Sequence, residues 1–374
     1  GENKMIPSSQ KNLKRILVLG VGGSGCSCVA NYSKFNKSLS YMLVDSDEAS
    51  LSNFNSENIF LIGKKLTLGG STGGDVEIGR QVIEKDASKL RVILEVVDLV
   101  IIIGGLGGGL ASGAIPVITR IAKECLTRSI VLSTFPYFFE GKNRINIAKD
   151  SVKRIRSHAD VVIKLHNDKL KKRINENRYE QSFKESHFYF ENAINSIWIM
   201  CNKPGICGLD YSSLQTIIKF CDGFCHYVHA RCVEDCNRSK KIINDLKNHP
   251  LTSKGLILKD APGAIILIRG DKNLKLLEIE EIMNFLNEEF IDNAWINFGI
   301  QHDKSIDGIF VDVFVAETWN EPLINDSINI FDSQRELSLS NDNKGVFSDM
   351  EPTVHKNQDL DIPTYRRKNI KLPK

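Results

Sequence analysis

Three short stretches of this chain are built mainly of glycine. Without a Cβ, successive backbone N–H groups can close around an oxyanion, above all where a strand hands over to a helix N-terminus. The first stretch is Gly20–Gly25, GVGGSG, directly after the apolar run 15–19, RILVL. It satisfies G-x-G-x-x-G, and Asp45 follows about 20 residues on, the spacing of a dinucleotide fingerprint. Alone, such a loop also fits a tight strand–helix turn with no ligand. The second stretch is 104–113, GGLGGGLASG, again after a strand-like run and before a helix-like one, with Pro116 in the first turn of that helix. The third is 69–74, GGSTGG. A nicotinamide site needs one such loop. Two from neighbouring strands line one phosphate chain from both sides, and the third adds donors that reach a terminal phosphate.

Other candidate chemistry is weaker. Cys221, Cys225, Cys232 and Cys236 form C-x3-C…C-x3-C, whereas zinc ribbons prefer C-x2-C, and Phe224 and Tyr227 between them read as core. Cys26 and Cys28 flank the first loop, where small packing residues are the simpler account. Lys169–Arg173, KLKKR, reads as a solvated helix face.

The elements that must position these loops alternate. Apolar runs at 40–44, 97–103, 129–134 and 160–165 read as buried strands, and 76–96 and 114–126 read as helices between them. That order predicts a mostly parallel sheet covered on both faces. One long helix is expected over 180–202, ended by Lys203-Pro204-Gly205. Strands follow at 263–269 and 308–316, with a helix at 275–290. From Asn320 the chain turns rich in Asn, Asp and Ser, which predicts a flexible linker. The expected organisation is a flexible start (1–12), a nucleotide-binding domain (13–178), a central helix (179–204), a smaller α+β domain (205–319), a linker (320–358) and a terminal peptide (359–374).

At 374 residues and 42% hydrophobic, the chain suits two domains with a tail. A net charge of +3 argues against wrapping nucleic acid. No apolar run is long enough to insert in a membrane, and Gly1–Asn12 has no signal-like apolar core, so a cytoplasmic protein with thiol cysteines is expected.

Four further motifs carry a family resemblance. Gly107–Gly113 is GGGLASG, where the FtsZ family has GGGTGTG; 73–80 is GGDVEIGR, similar to G-x-G-x-N-P-E-x-G-R. Phe135–Arg144 is FPYFFEGKNR, similar to K-P-F-x-F-E-G-x-x-R, and 166–170 is HNDKL for P-N-D-K-L. The tail DLDIPTYRRK resembles the D-I-P-x-x-x-R-K peptide at the end of that family. The chain thus resembles FtsZ, the tubulin-like cell-division GTPases, from about Arg15 to Thr318 and again at the tail, as a divergent member or paralogue.

The resemblance implies a Rossmann-like parallel-sheet GTPase fold and a bound GTP or GDP, with Mg2+ carried through the phosphates. Gly22, Gly23 and Gly25 would hold the inner phosphates, with Asp47 near the phosphates and magnesium. Gly73 and Gly74 would approach the terminal phosphate, and Gly107, Gly108, Gly109 and Gly113 belong to the loop that wraps the chain. Glu140 and Arg144 would hold the ribose, Asn167 would reach the base, and Phe183 would stack on it. Asp210 would act in trans on the nucleotide of the next subunit of a head-to-tail filament. Asp361, Ile362, Pro363, Arg367 and Lys368 would dock a membrane-associated division protein at the division site. Several residues depart from the pattern. Leu110 and Ala111 replace a Thr and a Gly, and Ser27 replaces an Asn. Phe188 aligns with the Asp that reads guanine, and Gly208 and Ser213 replace the Asn and second Asp of N-x-D-F-x-D. Slow hydrolysis is therefore expected. The alternatives are a nucleotide-binding scaffold that barely hydrolyses and, less favoured, a nicotinamide-dependent oxidoreductase.

Overall fold

The computed structural model describes residues 13–33, 39–54, 57–170, 179–203, 209–220, 223–234, 236–252, 256–259, 261–304, 306–317, 354–355 and 358–359. The chain divides into two compact units, Gly1–Trp319 and Asn320–Lys374.

The first unit is organised on one ten-stranded sheet. Its strands are β1 (Ile16–Val21), β2 (Ser40–Asp45), β3 (Ile59–Leu61), β4 (Leu99–Gly105), β5 (Arg128–Phe135), β6 (Val161–His166), β7 (Phe224–Cys232), β8 (Gly263–Gly270), β9 (Trp295–His302) and β10 (Ile309–Glu317). They lie in the order β3-β2-β1-β4-β5-β6-β7-β10-β8-β9. Strands β1 to β6 are parallel throughout, and β7 joins β6 in parallel through Val162↔Phe224 and Ile163↔Cys225. Beyond it, β10 is antiparallel to both β7 and β8, and β9 closes the sheet parallel to β8. The apolar strands are explained by this: β1 and β10 are covered on both faces, so β1 can have no polar side and β10 keeps few.

The expected helix over 76–96 is two helices, Val76–Lys85 and Ala87–Leu94. Asp86 breaks it, because its carboxylate turns back to accept from Gly63 N at 2.9 Å. The helix expected at 114–126 begins earlier, at Gly109, so the second glycine loop supplies its opening turns and Pro116 stands in the interior. The central helix runs Tyr179–Asn202 and the later one Leu276–Glu289. Strand β7 carries Cys225 and Cys232 into two different core clusters, on opposite faces of the sheet. Among the described residues no set of His, Cys, Asp and Glu is placed to hold a metal. No described helix is long and apolar enough to cross a membrane.

In the second unit, Val354–His355 pairs antiparallel with Gln358–Asp359. The remainder of the expected linker and terminal peptide, including Asp361, Ile362, Pro363, Arg367 and Lys368, lies outside the described residues.

Opposite the parallel half, the sheet encloses a charged group. Asp312 of β10 is fully buried. It accepts from Tyr227 Oη at 2.6 Å and from Arg269 Nε and Nη2 at 3.2 and 2.9 Å, and lies 2.8 Å from His229 Nδ1. Burial alone would raise its pKa, but the charges of Arg269 and His229 and these hydrogen bonds hold the carboxyl below the usual range. Removing the carboxylate strands the Arg269 guanidinium, which is itself only 2% exposed. Asp312→Ala should therefore lower the unfolding free energy by about 3–5 kcal/mol, read by urea denaturation at neutral pH. The folded-state pKa is depressed, so this contribution is complete above the unfolded carboxylate pKa of about 4 and is lost as pH falls below it. The gap between wild type and variant should narrow on acidification from pH 5 to pH 3, and a constant gap would contradict the assignment.

Candidate functional site

The parallel half has strand order 3-2-1-4-5-6, so connections leave β1 and β4 toward opposite faces. A crevice must open at the carboxyl ends of those two strands. There the structure holds a cavity of about 430 Å³.

Val21 ends β1, and Gly22, with φ of 73°, turns the chain into helix Gly22–Ser33, whose N-terminus faces the cavity. Gly25 brings that helix onto the sheet: a Cβ there would lie 2.3 Å from Ile103 O of β4. Gly113 does the equivalent between two helices: it lets helix Gly109–Glu124 close on helix Val76–Lys85, where a Cβ would lie 2.2 Å from Val76 O. Gly23 and Gly108 have nothing within 4 Å of an added Cβ and line the open space. Gly109 also lines it, pressed by Thr72 of the third glycine stretch and by Asp75 just after it. Gly107 supports the loop, its N–H donating to Ser112 Oγ at 2.9 Å.

Of the residues singled out in the sequence, Gly22, Gly23, Asp47, Gly108, Gly109, Glu140, Arg144 and Asn167 share the lining. Gly25, Gly73, Gly74, Gly107 and Gly113 stand outside it; from the third stretch the lining takes Ser71 and Thr72. Leu110 and Ala111 line it too, and are largely buried. The Phe183 side chain lies outside the described residues, as does Gly208. Phe188 packs its ring edge on His229 at 5.9 Å, with the Arg231 guanidinium 4.8 Å from its centroid. The central-helix residues beside the cavity are instead Ser186, His187 and Phe190, which with Ser24, Thr134 and Asn167 line a small recess. Ser186 Oγ donates to Asn167 Oδ1 at 3.2 Å. Burial lowers the His187 pKa, which favours the neutral ring.

The polar lining falls on two flanks. On the β2 side, Asp47 caps the short helix Glu48–Ser52, accepting from Ala49 N at 3.0 Å and Ser50 N at 3.2 Å. Asp45 behind it is buried, accepts from Ser46 N and Asp47 N, and has its pKa raised by burial. On the β5–β6 side, Glu140 accepts from Tyr137 N at 2.8 Å and pairs with Arg144 at 2.7 Å. The lining thus carries three carboxylates and one guanidinium. Thr134 escaped the sequence reading, and Ser24, Ser71 and Thr72 entered it only as members of their glycine stretches, because a hydroxyl carries no signal of its own until the fold aims it at a site.

Asp210 is not part of this cavity. It caps helix Tyr211–Phe220 from an exposed turn, accepting from Ser212 Oγ at 2.6 Å, Ser213 N at 2.9 Å and Ser213 Oγ at 3.1 Å. These hydrogen bonds hold its carboxyl below the usual range. Ser213 is buried.

Glycine-edged helix N-termini over a parallel switch point define an α/β protein built to take an anionic ligand. The family model described as Tubulin/FtsZ family, GTPase domain, matches residues 15–175. Cell division protein FtsZ 1 of Pyrococcus furiosus is 30% identical over 294 residues, covering 78% of each chain. FtsZ of Methanothermobacter thermautotrophicus is 29% identical over 311 residues, 83% of this chain and 81% of that one. Among solved structures, the empty FtsZ dimer of M. jannaschii matches with a TM-score of 0.75 and 25% identity, over 82% of this chain and 89% of that one. GDP-bound CetZ1 of Haloferax volcanii shares the fold, with a TM-score of 0.70 at 18% identity over 83% and 97% of the two chains. The chain belongs to the FtsZ family of tubulin-like proteins.

The glycines separate experimentally. Gly25→Ala and Gly113→Ala must displace backbone and should lower the unfolding free energy by roughly 1–3 kcal/mol. Gly23→Ala meets open space and should stay within about 0.5 kcal/mol of wild type. Denaturant titration of the three proteins checks this, and equal losses in all three would refute it.

Proposed function

We propose that the cavity binds GTP or GDP and that a second copy of the chain covers it in a head-to-tail filament. One observation carries the reading most directly. The open faces of Gly23 and Gly108 lie at the N-termini of two helices that converge on one crevice. Backbone N–H groups and two helix dipoles can hold a polyphosphate there, which a lining with a single guanidinium cannot do by side chains alone. Gly22, Gly23, Gly108 and Gly109 take the phosphates. Gly25, Gly107 and Gly113 serve them at one remove, by bringing the helices in and shaping the loop. Gly73 and Gly74 let their loop carry Ser71 and Thr72 toward the terminal phosphate. Glu140 and Arg144 face the ribose, while Asn167 and Phe183 face the base.

Mg2+ suits the β2 flank, where Asp47 and Asp45 would otherwise oppose phosphate charge. Bound there through the phosphates, it would neutralise charge on the transferred group. The pocket mouth favours a protein cover. Leu68, on the loop that carries Ser71 and Thr72, and Phe138 and Phe139, beside Glu140, are 90%, 63% and 67% exposed. The solved relatives include an FtsZ dimer and a CetZ2 protofilament with GTPγS. In such a filament Asp210 of one copy acts on the nucleotide of the next, polarising the attacking water.

Hydrolysis is slow on this reading, because Ser213 leaves one acid and Leu110 puts an apolar side chain in the lining. A scaffold that binds nucleotide and barely turns it over is the second reading, favoured by the same two residues. The terminal peptide docks a membrane-associated division protein, which would place the filament in the cytoplasm at the division site.

Chromatography of nucleotide released from the purified protein should yield guanine nucleotides, and calorimetry should show no tight NAD binding. Phosphate release per subunit should climb with protein concentration, since the site needs two copies. Asp210→Ala should lower it by roughly tenfold to a hundredfold. Ser213→Asp restores a second carboxylate beside Asp210, so its gain should be larger at higher pH, where both acids ionise. Brisk release untouched by Asp210→Ala would refute the assignment of Asp210. Filaments with no release in any variant would select the scaffold.

A chain cut after Pro352 should melt as the full chain does and lose capture of the membrane-associated partner. A marked fall in melting temperature would show that the terminal peptide supports the fold.

A further inference from the structure

The exposed Asp210 turn is gripped from both halves of the sheet. On the second half, Leu209 lies over β9 at Gly299, where an added Cβ would come within 2.7 Å of Leu209 Cγ. Asn297 Nδ2 of the same strand donates to Ser213 Oγ at 3.0 Å. That hydroxyl in turn lies 3.1 Å from Asp210 Oδ1. On the first half, Tyr211 Oη donates to Asp98 O at 3.3 Å, at the entrance to β4. The Lys14 ammonium sits 4.7 Å from the centroid of the Tyr211 ring. Lys14 N also donates to Asn202 Oδ1, at the last residue of the central helix, at 2.7 Å, and Arg15 N donates to Asp98 Oδ2 at 2.8 Å.

We propose that Tyr211 and Asn297 are positioning residues for Asp210, fixing its carboxylate against both halves of the sheet for action on the neighbouring copy. The inference rests on the proposed role of Asp210 in trans. Its physical content is separate. A carboxylate on an exposed turn would otherwise sample several rotamers and turn conformations, and only some would face a neighbour's phosphate. Here the residue before Asp210 and the residues one and three after it are each tied to the sheet. Tyr211 stands where the resembling motif has Phe, so its hydroxyl is an addition to that pattern. Ser213, which stands where that motif has an acid, links Asn297 to Asp210. The substitution that removes one acid therefore supplies a support for the other.

The test uses the full chain with Tyr211→Phe, Asn297→Ala and the two combined. Tyr211→Phe keeps the ring under Lys14 and removes only the hydroxyl. Three quantities are read: hydrogen exchange of the amides at 209–214, guanine-nucleotide affinity, and phosphate release per sedimented subunit. Exchange should quicken by roughly threefold to tenfold in each single variant, as expected for loss of one hydrogen bond, and further in the pair. Release per assembled subunit should fall by a similar factor while nucleotide affinity and melting temperature hold. A general structural role would instead move melting and affinity together with release. Unchanged exchange in all three variants would overturn the grip itself. Quicker exchange with wild-type release per assembled subunit would overturn its role in positioning. Wild-type protein with no release at any concentration would overturn the catalytic reading of Asp210 and this role with it, leaving the exchange result to decide the grip alone.

Discussion

The parallel half depends on how closely its helices can approach the sheet and one another. Helix Gly22–Ser33 rests on β4 because Gly25 leaves no Cβ in the way of Ile103 O, which would lie 2.3 Å off. Helix Gly109–Glu124 closes on helix Val76–Lys85 through Gly113 and Gly79 by the same absence. That approach aims both N-termini at one crevice, and it lets β1 and β4 stay buried on both faces. The glycines with no room around them build the site, and among those with open space before them Gly23 and Gly108 line the crevice.

The second half is organised by a different constraint, a buried carboxylate that cannot be left alone. Asp312 draws Tyr227, His229 and Arg269 from strands β7 and β8 onto β10, so the antiparallel register is marked by charge as well as by apolar packing. Tyr189 of the central helix adds to this, donating to Tyr227 O. The helix thereby reaches the crevice through the hydrogen bond of Ser186 to Asn167 and the second half through Tyr189, and it ends at Asn202 beside Lys14. One rigid element therefore connects the pocket with the region of the Asp210 turn.

The electrostatics of the crevice follow from these two constraints. Its carboxylates are committed to backbone donors or to Arg144, so the free positive potential comes from helix ends rather than side chains. On the proposed reading, a nucleoside polyphosphate would bring its own counter-cation to such a site.

The sequence by itself determined the glycine loops, the alternation that makes a parallel sheet, the central helix and the family. These signals are local, carried by runs of like residues and by motifs in fixed order. The tertiary structure decided which glycines meet open space and which meet backbone. Gly25 and Gly23 look alike in a string, and only the position of Ile103 separates them. It also split the helix at Asp86, whose partner Gly63 lies 23 positions away. It turned Phe188 toward His229 and left Ser186 and His187 beside the cavity, because the facing of a helix depends on what packs against it. Strands β7 and β9 were illegible for the same reason: their side chains are divided between clusters that exist only once β10 lies between β7 and β8. The grip on Asp210 joins Asp98, Tyr211 and Asn297, residues scattered over some two hundred positions, and no spacing rule can report a contact made by folding alone.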